Sequence, residues 1–394
     1  VSAGSPFGLA GLVLAGMASL AAAMGIGRFA FTPLLPLMQA QDGVTLSQGA
    51  WLAAANYLGY LLGSLAAFVW VPRATVSVRW GLLGVAVCTA AMAWAQPMAL
   101  ALALRALAGM ASAFVLVGVS ARVLGALAAA GRSQLAGWVF AGVGVGIAAV
   151  GLAIMGLSAA RGAAGWGWLA LGLAAGAVCL GGWRWWAEPA SPQVQAQTPG
   201  LAQAAVTRLR ASDRWMVVAY GGLGLGYIIP ATFLPAMARA RIEDPSVFGW
   251  AWPAFGLAAA VSTVVVNRFM GGVHPRRVYA FSVVVMALGV GWPVFSPSLL
   301  AIGVAALCVG GTFMVATMAG FQEARRIAPQ QAARLIAAMT TSFAVGQLLG
   351  PVLVALWAGS ADAMRGPSLV AMVVLLASAV VIGWRARGVD AVNP

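Results

Sequence analysis

The sequence predicts an all-α integral membrane protein with twelve transmembrane helices in two pseudo-symmetric six-helix bundles. Three observations carry that expectation. Of 394 residues, 62% are hydrophobic and 8% are charged, where a soluble domain carries roughly a quarter charged residues. Apolar stretches long enough to cross the hydrocarbon, about 20 residues each, recur along the whole chain. A glycine- and proline-bearing stretch near the start returns, shifted by 199 positions, just past the middle.

The spans follow in order. The first, near 8–38, carries "AAMGIGRFAFTPLLPLM" at 22–38. No basic segment precedes it and no small-residue cleavage site interrupts it, so it reads as a spanning helix and not as a signal peptide. Spans near 48–70, 80–96, 98–120, 134–157 and 166–186 complete a first half, residues 1–187. Residues 188–212, rich in Pro, Gln, Ser and Arg, read as a linker. Spans near 214–238, 247–267, 278–295, 298–320, 332–358 and 367–386 make the second half, residues 213–394.

The net charge of +14 comes from 22 arginines and no lysine against 8 acids. Such a total could suggest nucleic acid, but its placement points to topology. Sixteen arginines lie at one set of alternate connections, and only Arg161, Arg239, Arg241 and Arg365 lie at the opposite set. The positive-inside rule then puts both termini and the linker in the cytoplasm of a multi-pass bacterial inner-membrane protein, with no nucleic-acid partner. Cys88, Cys179 and Cys308 sit singly in apolar spans and read as packing residues. Neither a metal nor a cofactor is expected, and the chain is expected to act as a monomer in the lipid bilayer.

The repeat is specific. "MGIGRFAFTPLLPLM" (24–38) lies over "LGLGYIIPATFLPAM" (223–237), matching Gly25 with Gly224, Gly27 with Gly226, Pro36 with Pro235 and Arg28 with Tyr227. The same shift matches Trp51 with Trp250, and a shift of 201 matches "GWR" at 182–184 with "GWR" at 383–385. Six helices followed by six similar ones in the same orientation form a parallel repeat, a plan known among secondary transporters.

With this plan the chain resembles the major facilitator superfamily. "RALAG" (105–109) resembles the Arg-x-x-x-Gly signature of its fourth helix, and "GVGVG" (142–146) and "GQLLGP" (346–351) resemble the G-x-x-x-G(-P) signature of helices 5 and 11. "GIGRFAFTPLLPLM" followed by "WLAAANYLGYLLGS" (51–64) is similar to the YbfB/YjiJ-like subfamily. Two departures stand out: the connection after Gly63 has Arg73 and Arg79 but no acid, and Ile147 replaces the proline of the fifth-helix motif. The resemblance implies alternating access, with the first and fourth helices of each half lining a central cavity. It does not imply an enzyme.

Two arginines lie inside spans. An arginine near the bilayer centre costs on the order of 3 kcal/mol or more, so it normally faces a wet cavity and a partner. At 1.5 Å of rise per residue, Arg28 and Arg105 fall at similar depth, and no Asp or Glu sits at that level. The expected partner is an anionic substrate, held bidentately by a guanidinium fork. Alternatively, Arg105 braces helices and Arg28 bonds backbone near Pro33. Asn56, Tyr57, Tyr60, Trp138, Phe140, Tyr227, Thr341 and Gln347 fill out the candidate pocket. Gly25, Gly27, Gly224 and Gly226 read as close-approach positions, and Pro33, Pro36, Pro230 and Pro235 as points that soften an outer gate.

The expected function is secondary transport of a small, anionic and partly apolar organic solute such as a carboxylate. Proton coupling would need the substrate's own proton or a peripheral acid such as Asp213 or Glu323. Efflux of hydrophobic or amphiphilic compounds, lipids included, is the alternative.

Overall fold

The computed structural model describes residues 8–70, 73–186, 214–239, 249–269, 273–296, 298–328, 332–360 and 362–389. The linker expected at 188–212 lies outside the described residues. Among these residues thirteen helices make twelve passes: α1 (Gly8–Leu20) and α2 (Phe31–Gln41) share the first pass. α3 (Leu46–Trp70), α4 (Ala74–Ala91), α5 (Met98–Val119), α6 (Ala136–Ala159) and α7 (Ala164–Gly182) follow. After the linker come α8 (Arg214–Arg239), α9 (Ala251–Phe269), α10 (Pro275–Phe295), α11 (Leu299–Ile327), α12 (Ala332–Trp357) and α13 (Arg365–Val389). Among the described residues ten helical segments, the first pass included, are long and apolar enough to cross a membrane. The 25-residue α3 and the 19-residue α9 complete the twelve.

Local chemistry sets several ends. Before α3, Thr45 and Gln48 form a reciprocal capping box: Gln48 N donates to Thr45 Oγ1 at 3.1 Å and Thr45 N to Gln48 Oε1 at 2.9 Å. Ser298 caps α11 by accepting from Ala301 N at 3.2 Å, and His274 caps α10 ahead of Pro275. The tenth span runs to Ile327, past the expected end at 320, because Glu323 and Arg326 at its tip pair with each other at 3.0 Å.

Helix pairings of the first half recur in the second. α3 packs on α5 as α9 packs on α11, α4 on α7 as α10 on α13, and α1 on α6 as α8 on α12. Close crossings explain the small residues at these contacts. A Cβ on Gly109 would lie 2.0 Å from the Asn56 carbonyl oxygen, and one on its repeat equivalent Gly310 would lie 2.3 Å from the Phe255 carbonyl oxygen. With no hydrophobic drive between helices in lipid, such backbone approach supplies the packing energy. The halves meet along α6–α9, α3–α12 and α2–α8.

One expected element differs. The first span, read as continuous over 8–38, is interrupted. After α1 the backbone widens, with Gly27 N bonding Ala22 O at 3.0 Å and Phe29 N bonding Met24 O at 3.1 Å. It then tightens, with Thr32 N bonding Phe29 O at 3.2 Å. Pro33, which has no N–H for Phe29 O, sits in the first turn of α2, where a proline is tolerated. α8, in contrast, runs unbroken through Pro230 and Pro235.

Candidate functional site

The break in the first pass frees backbone carbonyls inside the membrane, where an unpaired one costs several kcal/mol. Neighbouring side chains satisfy them. Arg105 on α5 donates through Nη2 to Arg28 O at 3.2 Å and through Nη1 to Gly27 O at 3.5 Å. Asn56 on α3 donates to Gly27 O at 3.2 Å and to Arg105 O at 2.9 Å. Phe31 and Trp168 cover the Arg105 guanidinium at 5.0 and 5.8 Å from their centroids. Asn56 and Arg105 thus brace the broken helix.

Arg28 has different surroundings. It is 2% exposed, and its guanidinium lies 4.0 Å from the Tyr60 ring centroid, 5.1 Å from Tyr57 and 5.5 Å from Phe29. Such cation–π contacts are worth about 2 kcal/mol or more when desolvated. Among the described residues its one side-chain hydrogen bond runs from Nη2 to Gln347 Oε1 at 2.9 Å, and its buried Nε has no acceptor there. A guanidinium only donates, so it takes the amide oxygen of Gln347, and the amide nitrogen turns to donate to Tyr227 Oη. Tyr227 is stacked between Phe313 and Phe343, both 5.4 Å away. The one buried acid among the described residues is Glu323, far along α11. It is held by Arg276 at 2.9 Å and Arg326 at 3.0 Å.

Arg28, Thr32 and Pro36 stand four residues apart, on one stripe of the first pass, and each bonds across to the other half. Thr32 Oγ1 donates to Ala231 O at 3.1 Å, and Arg239 donates to Pro36 O. Tyr57 and Thr232 share a hydrogen bond of 2.8 Å beside them. These rungs draw the Arg-poor end of the bundle together. Above them, Pro33, Pro36, Leu37, Met155, Pro235 and Trp252 help to line a cavity of about 190 Å³.

The structure therefore brings Arg28, Tyr57, Tyr60, Tyr227 and Gln347 into one cluster, with Asn56 and Arg105 immediately behind it. Phe140 is partly buried on α6. Trp138 does not join: it is 51% exposed, on a stripe with Val145 and Leu152 that is turned away from both packed faces of α6. Thr341 is exposed beside Val345 and Leu349. At 100° per residue it points about 120° around α12 from Gln347. Gly25 packs on Gly146 and Gly224 on Phe343, while Gly27 meets Ser112 and Gly226 meets Leu375.

Sequence reasoning passed over Phe29, Thr32, Thr232, Trp252, Phe313 and Phe343. The repeat held a signal for one of them. Thr32 and Ala231 are partners under the 199 shift, and residues on a pseudo-twofold seam meet their own repeat copies.

Among the described residues no group of three or more His, Cys, Asp or Glu could hold a metal ion. Twelve helical passes and a polar cluster buried at the seam of two repeated halves define a multi-pass membrane transporter of the major facilitator fold. The chain belongs to the family described as "Uncharacterised MFS-type transporter YbfB", whose model matches residues 20–383. No curated protein matches it by sequence. Among solved structures, a D-xylose–proton symporter aligns with a TM-score of 0.73 at 12% identity, covering 94% of this chain and 96% of that one. The nucleoside transporter NupG aligns with a TM-score of 0.68 at 12% identity, covering 94% and 97%. At such identity the likeness is one of fold.

Proposed function

We propose that this secondary transporter moves a small organic anion with an apolar body, a carboxylate above all, and that Arg28 binds its charged end. The observation that carries the reading is a buried guanidinium with an open Nε, ringed by aromatics and an amide and facing no carboxylate among the described residues. A carboxylate would take that donor and gain a charge-assisted bond in a low-dielectric site. Tyr57, Tyr60 and Tyr227 would cover the apolar body, with Tyr227 orienting it. Asn56 and Arg105 hold the backbone that aims Arg28.

The halves 1–187 and 213–394, joined by the linker 188–212, rock about the seam. Pro33, Pro36, Pro230 and Pro235 lie in the end that opens, and the four glycines keep the helices close. The arginine bias orients the Arg-poor end outward, with both termini in the cytoplasm of a bacterial inner membrane. Glu323 is already committed to two arginines and Asp213 lies outside the described residues, so proton coupling of the kind named for the xylose symporter would draw on the substrate's own proton or on Asp213.

Uptake into proteoliposomes across a panel of aromatic and aliphatic carboxylates, neutral polyols and cationic amphiphiles tests the reading, with and without a pH gradient. Carboxylates are expected to be moved. Transport confined to neutral or cationic compounds would overturn it.

A further inference from the structure

Gln347 has two features that Arg28 alone does not explain. Its amide oxygen occupies the acceptor position at Arg28 Nη2, 2.9 Å away, where a substrate carboxylate oxygen would sit. It also reaches that position from the opposite half, so the bond is the innermost rung of the seam that runs outward through Thr32–Ala231 and Pro36–Arg239. A neutral amide is a weaker acceptor for a guanidinium than a carboxylate, which brings its own charge and a second oxygen for bidentate pairing.

We propose that Gln347 is a built-in surrogate for the substrate anion. It caps Arg28 while the Arg-poor end is closed and exchanges with the anion when that end opens. This rests on the reading of Arg28 as the anion contact. Opening the seam uncaps Arg28 and presents it to an arriving anion. Closing it returns the Gln347 oxygen to Nη2 and displaces the anion toward the Arg-rich end. Binding and gating thereby share one hydrogen bond. The residue type fits this role. A glutamate would pair permanently with Arg28 and could also accept from the Tyr227 hydroxyl, whereas an apolar side chain would leave the closed state without its cap.

The test uses the full chain with Cys88, Cys179 and Cys308 replaced by Ser and a reporter Leu37→Cys, which lines the cavity at the Arg-poor end. Maleimide labelling is measured without substrate, and carboxylate uptake is measured separately. Gln347→Glu is expected to slow labelling by about fivefold and uptake by about tenfold. Gln347→Met, close in size, is expected to speed labelling by about threefold and to lower KM for the carboxylate, since roughly 0.65 kcal/mol of competition at Arg28 corresponds to a threefold change. Labelling unchanged in both variants would overturn the proposal. Anion uptake persisting in Arg28→Ala would instead sink the anion reading, and the labelling result, obtained without substrate, would stand apart from it.

Discussion

The two halves share a scaffold and differ in their first pass. Both open on a helix carrying paired glycines and prolines, yet only the first is broken. α8 passes through Pro230 and Pro235 as one helix, whereas the first pass widens after Leu20 and restarts at Phe31. Proline content cannot be the cause, since both helices lose N–H donors. The brace can. Asn56 and Arg105 donate to the freed carbonyls of Gly27 and Arg28. At the repeat-equivalent positions stand Phe255 and Ala306, both buried and without side-chain donors. A break inside a membrane persists only where side chains satisfy the backbone it exposes. The half with the brace carries Arg28, and the half without it carries Tyr227.

Five substitutions probe that contrast, in falling order of effect. The glycine crossings are common to both halves, so Gly109→Ala and Gly310→Ala should each destabilise by about 3 kcal/mol, the upper range for overpacking a tight contact. Thermal unfolding in detergent reads this, and a large loss in one half only would break the symmetry argued here. The brace belongs to the first half alone. Arg105→Ala should cost about 1–3 kcal/mol through unsatisfied carbonyls, while Ala306→Ser stays near wild type; equal losses would remove the link between brace and break. Trp138→Leu, on the exposed stripe of α6, should leave uptake unchanged and move stability by no more than about 0.5 kcal/mol. A loss of uptake would return Trp138 to the site.

What the sequence made legible follows the same physics. Arg28 could be picked out because charge inside the hydrocarbon is costly and must be answered, and the 199-residue repeat pointed to Tyr227 as its counterpart. Gln347, found by its polarity at cavity depth, proved to join the two. Trp138 and Thr341 lie apart from the Arg28 cluster, and neither helix marks this in advance: α6 is apolar on nearly every side, and Thr340, Thr341 and Ser342 spread polarity around α12. A helix without a polar face gives no signal of which side meets protein and which meets lipid. The break was illegible because its glycines and prolines recur in the unbroken α8. What separates the two is a pair of residues on other helices, Asn56 and Arg105, that only the fold brings near.

The central claim is that Arg28 receives an anion. Equilibrium binding of a carboxylate panel to the purified protein, compared with Arg28→Gln, tests it most directly. The substitution keeps a polar side chain and removes the charge. Affinity is expected to fall by about tenfold or more, as for loss of a buried charge-assisted bond, in a variant that thermal unfolding shows to be folded. Unchanged carboxylate affinity in Arg28→Gln would contradict it.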